Sequence, residues 1–219
     1  MLQDWLRMTE VGLTIEEWWR LPRNAAYKYE YVDGKAQITP RPLCVDVVLD
    51  LEGFRKGGDR VKELEVRQLR KGDWADLPKV MAGAFAHVAP FGTMTDAELE
   101  EAVADCLRVT REGGDGELLR GACVVGCDRH CPIAGAALVT LRHGETTRRA
   151  KTPLLTWIFV NPWMKRRGVG EAMLADVVQR LREMGHGQME SVVCTGNSSS
   201  MAWHWREGFV LSPRRNWHI

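Results

Sequence analysis

Val160-Asn-Pro-Trp-Met-Lys-Arg-Arg-Gly-Val-Gly-Glu-Ala-Met-Leu174 is the stretch that decides how this 219-residue chain is built. The run before it, Leu154 to Val160, has almost no polar residue, as expected for a strand covered on both faces. The run after it, Gly168 to Met184, spaces Val169, Met173, Val177, Leu181 and Met184 along one helical stripe and stops at Gly185. Between them lies a tight turn rich in glycine and arginine. A helix N-terminus leaves backbone N–H groups unpaired and carries a partial positive charge. Gly168 and Gly170 let an anion approach that backbone closely, and Lys165, Arg166 and Arg167 add positive charge. The unit suits a pyrophosphate. It is no Walker loop, which would close on Gly-Lys-Ser/Thr. It is no dinucleotide fingerprint either, because Met173 stands where the third glycine belongs.

Outward from that unit the pattern is mixed α/β. Upstream, Leu64 to Leu69 reads as a strand, and Asp73 and Asp76 open a helix with Leu77, Met81, Ala84 and Phe85 on one side. Pro78 is tolerated there because it lies in the first turn. Thr95 and Glu98 form a capping box ahead of a helix with an apolar face of Leu99, Val103, Cys106 and Leu107. Ala122 to Val125 and Ile133 to Leu141 are strands joined by a cysteine-bearing turn. Downstream come a strand at Met189 to Cys194, a short helix at Ser198 to Glu207 and a final strand at Phe209 to Leu211.

The first 61 residues differ in character. Thr14 and Glu17 predict a capped short helix ending near Leu21-Pro22. Tyr27-Lys-Tyr-Glu-Tyr-Val, Asp33-Gly34 and Lys35-Ala-Gln-Ile-Thr predict a hairpin. A third extended run spans Leu43 to Leu51. We therefore divide the chain into a helix-and-hairpin appendage, residues 1–61, packing on a core domain, residues 62–219. Only ten residues follow Phe209, scarcely room for a further strand, and Ala36 to Thr39 or Val45 to Leu51 is expected to cover the sheet edge left there.

Composition bounds the function. With 30 Lys and Arg against 29 Asp and Glu, the net charge is +1, which argues against a general nucleic-acid binder. Apolar residues make up 45%, enough for a core without disulfides, and no run is long enough to span a membrane. Met1 to Arg20 carries acids and tryptophans and does not read as a secretory signal, so a cytoplasmic protein with free thiols is expected. Cys123, Cys127, His130 and Cys131 have spacing that could bind zinc, but no second ligand pair occurs, and no metal is expected. Nine tryptophans accompany only three tyrosines, all before residue 32.

The central stretch resembles the coenzyme A-binding motif of the GNAT N-acetyltransferase superfamily. Lys165-Arg166-Arg167-Gly168-Val169-Gly170 matches Arg/Gln-x-x-Gly-x-Gly/Ala, with lysine as a departure at the first position. The family's Asn followed eleven residues later by Gly-Phe is matched by Asn197 and Gly208-Phe209. The resemblance covers residues 62 to 219. It implies an α/β (α+β) fold with a mixed, mostly antiparallel central sheet flanked by helices and splayed at the coenzyme A site. It implies that Ile158 and Val160 offer backbone groups to pantetheine, that Arg166, Arg167, Gly168, Val169 and Gly170, with Lys165 beside them, hold the pyrophosphate, and that Asn197 sits near the cofactor. The activity implied is acetyl transfer from acetyl-CoA to the amine of a small molecule or peptide by direct attack.

The family's usual acid is a tyrosine seven residues after the Asn. Here that position is His204, a candidate general acid that would have to act as an imidazolium. The base is less visible: Glu117, Glu98, His87 and Glu190 are the candidates, Glu117 being named first. His87 to Phe91 should line the acceptor pocket. The missing tyrosine keeps a second reading open, a catalytically weak or inactive coenzyme A-binding module with a regulatory or interaction role. A third, a protein-interaction domain, would use Trp18-Trp19 or Trp203 and Trp205. A homodimer stays open as the assembly.

Overall fold

The computed structural model describes residues 8–23, 27–40, 44–55, 64–92, 94–142 and 152–212. Three short strands, β1 (Thr9–Gly12), β2 (Tyr27–Val32) and β3 (Lys35–Pro40), form a small antiparallel sheet in the order β1-β3-β2. The expected hairpin forms: Asp33 and Gly34 both take positive φ, 50° and 76°, the geometry that a two-residue turn demands and that Asp-Gly supplies. Helix α1 (Ile15–Arg20) starts on the expected Thr14–Glu17 capping box. Trp18 is buried there, beside the Tyr31 ring and under the Arg23 guanidinium. Strand β1 has no periodic signal of its own, which is why the sequence reading passes over it.

The third extended run has a different fate. β4 (Cys44–Asp50) leaves the small sheet and enters a large one, ordered β11-β4-β10-β9-β8-β7-β5. Its other strands are β5 (Glu65–Gln68), β7 (Val124–Asp128), β8 (Cys131–Arg142), β9 (Thr152–Val160), β10 (Gln188–Cys194) and β11 (Val210–Leu211), with β6 (Glu117–Leu118) paired on β8. Sequence reasoning expected a cover for an exposed edge. The structure instead inserts β4 between β10 and β11, pairing antiparallel with both. The reason is its alternation: Val45, Val47 and Leu49 all point to one face and are buried, so the strand has a core side to offer.

Among the described residues every pairing is antiparallel except β9 with β10. Each face of the large sheet has its own core. On one, α4 (Val169–Glu183) lays Val169, Met173, Leu174, Val177, Val178 and Leu181 against β4, β8 and β9. α5 (Ser198–Arg206) adds Met201 and Trp203 at its margin. On the other face, α2 (Leu77–Phe85) and α3 (Asp96–Glu112) bury Leu77, Met81, Leu99, Val103 and Leu107. Helix α3 begins on the Thr95–Glu98 capping box and ends at Gly113 in the left-handed region. Strand β8 serves both cores, Ala134, Ala137 and Val139 joining the α4 core and Ile133, Ala136 and Leu138 that of α2 and α3, with the sense of alternation changing at Gly135. No described helix is long and apolar enough to cross a membrane.

Candidate active site

The site is made by two neighbouring strands that part company. β9 and β10 run parallel but pair only at Leu154–Glu190 and Leu155–Ser191. Past that point a β-bulge interrupts β9: Leu138 of β8 faces Trp157 while the next residue, Val139, faces Leu155, leaving Thr156 as the extra residue. A bulge bends its strand and sharpens the twist. The rest of β9, Trp157 to Val160, thus stays with β8 and diverges from β10. This is the splay that the family resemblance implies, and Thr156 is a signal that sequence reading missed. Its hydroxyl lies 2.8 Å from that of Thr140.

A cavity of about 350 Å³ fills the wedge. Its wall takes Leu154 to Ile158 from β9, Ser191 to Cys194 from β10, Cys44 from β4 and Asn197, Ser200 and His204 from the α5 segment. The loop after α2 closes one side with Ala89, Pro90 and Phe91, so the expected lining by the 87–91 segment holds for its second half. His87 itself is exposed, with φ 61°. A second cavity of about 200 Å³ shares Phe85, Ile158, Asn197 and Ser200 with the first and reaches Val160, Lys165 and Gly170. The two make one groove from the wedge to the glycine turn.

At the turn, Arg166 and Gly168 adopt positive φ, 62° and 75°. Alternating left- and right-handed backbone turns successive N–H groups to one side, a cradle for anions. The intrahelical ladder of α4 begins with Ala172 N–H donating to Gly168, so the earlier N–H groups lie ahead of it. Arg166 and Arg167 are exposed. Lys165 is held differently: its Nζ donates to the Ala84 carbonyl at the end of α2, 3.1 Å away, which ties the turn to α2. Gly170 packs under Trp203, whose Nε1 would lie 3.3 Å from an added Cβ. Asn197 caps α5, its Oδ1 accepting from Ser200 N–H at 3.0 Å.

His204 is 3% exposed. Nδ1 lies 2.8 Å from the Ser200 carbonyl, which can only accept, so Nδ1 carries a proton. Nε2 lies 3.2 Å from Ser191 Oγ, and that hydroxyl is also 3.1 Å from the Leu155 carbonyl. Burial pushes the His204 pKa below the ordinary histidine value, only partly opposed by the Ser200 carbonyl. Burial therefore holds the resting ring toward its neutral form, with Nε2 facing the Ser191 oxygen, whose hydroxyl donates to the Leu155 carbonyl. A standing imidazolium, which the acid role in its simplest form requires, is disfavoured.

The candidate bases are scattered. Glu117 sits on β6 and is exposed, because its strand neighbour Leu118 takes the inward side against the α3 core. It does not line the cavity. Glu98 is spent on the Thr95 capping box, and half-buried Glu190 stands 3.5 Å from Arg142 and does not line the cavity. The carboxylate that does reach the cavity is Asp115, just past the end of α3. Thr110 Oγ1 donates to it at 2.6 Å and accepts from Trp157 Nε1 at 2.9 Å. Nothing local in the sequence marks it. Arg142 also lines the cavity and pairs with buried Asp46 at 3.0 Å. Cys123 is buried in the core, its sulfur bonded to Val139, and no metal-holding group of His, Cys, Asp or Glu occurs among the described residues.

A parallel pair of strands splayed by a bulge, feeding a strand–glycine turn–helix unit, defines a class of acyl-transfer fold, and comparison places the chain within it. The Acetyltransferase (GNAT) family profile matches residues 93–209, and the chain belongs to that family. Among solved structures it is similar to a GCN5-related N-acetyltransferase from Sphaerobacter thermophilus, with 15% identity and a TM-score of 0.55 over 78% of this chain; it spans 50% of that protein's length. It is also similar to the PaiA N-acetyltransferase from Thermoplasma acidophilum, in complex with coenzyme A, with 14% identity and a TM-score of 0.55 over 70% of this chain and 93% of the other. No curated protein sequence matches it.

Proposed function

We propose that the protein is an acetyl-CoA-dependent N-acetyltransferase acting on the amine of a small molecule or peptide. The observation that carries this reading is the continuous groove from the glycine turn to the wedge between β9 and β10. The groove has the two ends the reaction needs, an anion cradle for a pyrophosphate and a largely apolar chamber for an acyl group. Acetyl-CoA, when bound, supplies an activated thioester. The backbone N–H groups from Arg166 to Gly170 hold its pyrophosphate, with Arg166 and Arg167 adding charge. Backbone groups of Ile158 and Val160, freed from β10 by the splay, pair with the pantetheine arm, and Asn197 fixes the opposite wall. The amine enters past Pro90 and Phe91, with Asp115 and Arg142 as the charged groups that meet it. In this reading residues 44–212 make the transferase unit, and the sheet at 9–40 is the appendage. Six free thiols suit a reducing cytoplasm.

His204 handles the proton by accepting first. Nε2, neutral at rest, takes the proton released by the attacking amine. Ser191, whose hydroxyl already donates to the Leu155 carbonyl, then accepts from the newly charged ring. The imidazolium next gives its proton to the departing thiolate. Positioned acid–base groups contribute about 10²–10⁴-fold, and His204→Ala should lower kcat by that order while coenzyme A still binds. The order of events sets the pH profile. An accepting histidine loses activity as pH falls through its lowered pKa and shows no loss from about pH 6.5 to 8. A resting imidazolium would lose activity across that same interval. Thiol release from acetyl-CoA, measured over an amine panel at several pH values, tests the activity itself. Gly170→Glu, which places a bulky anion under Trp203, should abolish coenzyme A binding. Saturable coenzyme binding without turnover on any amine would sink the transferase reading and leave the binding-module reading.

A further inference from the structure

Two of the six cysteines stand opposite each other in the wall of the cavity. Cys44 begins β4 and Cys194 ends β10, and the antiparallel register pairs them directly. Residues directly opposed in an antiparallel ladder project to the same face with Cα atoms about 4.5–5.5 Å apart, whichever kind of pair they form. A disulfide needs about 4.4–6.8 Å. The two side chains are hydrogen-bond partners, and both line the cavity. Backbone N–H groups of Gly196 and Asn197 also face the Cys194 sulfur. Asn197 is the cap of α5, so the positive end of that helix points the same way.

We infer that Cys44 and Cys194 form a reversible oxidation site, Cys194 attacking a hydroperoxide and Cys44 closing the disulfide. The Cys194 thiolate bonds to one peroxide oxygen. The O–O bond breaks, the other oxygen leaves with the electron pair and takes a proton from water, and Cys194 becomes a sulfenic acid. The Cys44 sulfur then attacks the Cys194 sulfur and water leaves. The two thiols lose two electrons together and the hydroperoxide gains them. Two equivalents of a small thiol restore the pair by exchange. Redox-active cysteines combine thiolate character, access and a resolving partner.

The other thiols lack one or more of these. The hydrogen bond from Cys44, then the Gly196 and Asn197 N–H groups, hold the Cys194 thiol well below the usual value, while the proton it shares pushes Cys44 up. Burial pushes Cys106 up to about 12 and Cys123 up to about 11, in the apolar interior. Cys127 is raised by burial as well. Cys131 faces the Ile133 carbonyl at 3.2 Å and has no cysteine opposite it, pairing with Asp128.

The test uses the full chain. Reduced protein is treated with hydrogen peroxide, the remaining thiols are alkylated, and peptides are mapped without reduction. The expected result is a Cys44–Cys194 linked peptide that dithiothreitol reverses, with the other four cysteines alkylated. In Cys44→Ser, Cys194 should instead accumulate as a sulfenic acid trapped by dimedone. In the untreated protein, Cys194 should alkylate at least about tenfold faster than Cys106 or Cys123. No linked peptide, or a linkage to Cys127 or Cys131, would overturn the assignment. The consequence for catalysis rests on the acetyltransferase reading: a disulfide in the wall of the acceptor chamber should suppress transfer while coenzyme A binding persists. A disulfide with undiminished turnover removes that consequence. A reduced protein that turns over no amine fails the reading itself, and the peptide map still decides the site.

Discussion

His204 shows how one side chain can be found from spacing and still be misjudged in its state. Its distance from Asn197 locates it, but its protonation depends on how deeply it is buried. Trp203 and Phe209, near it in the chain, set their rings 4.9 and 4.8 Å from the imidazole centroid, and Ser191 comes from β10. The burial depends on how α5 docks against β10, which spacing alone does not show. The consequence for stability has a definite sign. The unfolded imidazole titrates near about 6.5, and the folded one lower. Between those values the unfolded chain binds more protons, so stability is complete above about pH 6.5 and falls as pH drops through the folded pKa. Urea unfolding of the wild type should therefore weaken from about pH 7.5 to 5.5 more than that of His204→Gln, which has no ionisation to lose. Equal pH dependence in the two proteins would remove burial as the cause. Asp115 makes the complementary case: it reaches the cavity only because the chain turns back after Gly113, and no residue pattern around it announces a role.

At the scale of elements, the helices and the glycine turn were legible and the bulge was not. Capping boxes at Thr14 and Thr95, the stripe on α4 and the Asp33-Gly34 turn are local devices, and each acts where the sequence puts it. The bulge at Thr156 interrupts a strand that is apolar on both faces, so it breaks no alternation that a reader could see. Beyond it, where Gly135 pairs with Val160, β8 and β9 come unusually close. A Cβ on Gly135 would lie 2.6 Å from the Phe159 carbonyl oxygen and 2.9 Å from Met173 Cε. The first contact is backbone and cannot rotate away. Gly135→Ala should cost about 1–3 kcal/mol, the range of an overpacked core, read as a lower urea midpoint. Gly72→Ala, where nothing lies within 4 Å of the added carbon, is the control and should change little. If the two variants unfold alike, the contact is not what fixes β8 against β9.

For the whole molecule, the deciding feature is where β4 lies. A strand expected to shield an edge is an interior strand, and Val47 and Leu51 are fully buried in the α4 core. Arg182 on α4 further clamps the chain after β4 through the carbonyls of Leu51, Glu52 and Phe54. The sequence could show that Val45 to Leu51 has one apolar face; it could not show which strands would flank it, since register across distant segments leaves no local trace. Two truncations separate the parts. Removing residues 1–40 should leave a soluble protein that binds coenzyme A, because the small sheet pairs within itself. Removing residues 1–60 strips a central strand and should give insoluble product. A soluble, coenzyme-binding 61–219 fragment would overturn this account of the sheet. The same arrangement bears on how the protein is made. β4 is translated before both strands that flank it, β10 and β11, with β5 to β9 made in between. Until they emerge it is an apolar ribbon with two bare edges, the kind of segment that draws aggregation or a chaperone. The wedge between β9 and β10 can form only once β10 has emerged, so the nascent chain must carry β4 unpaired until the strand that supplies half of the site arrives.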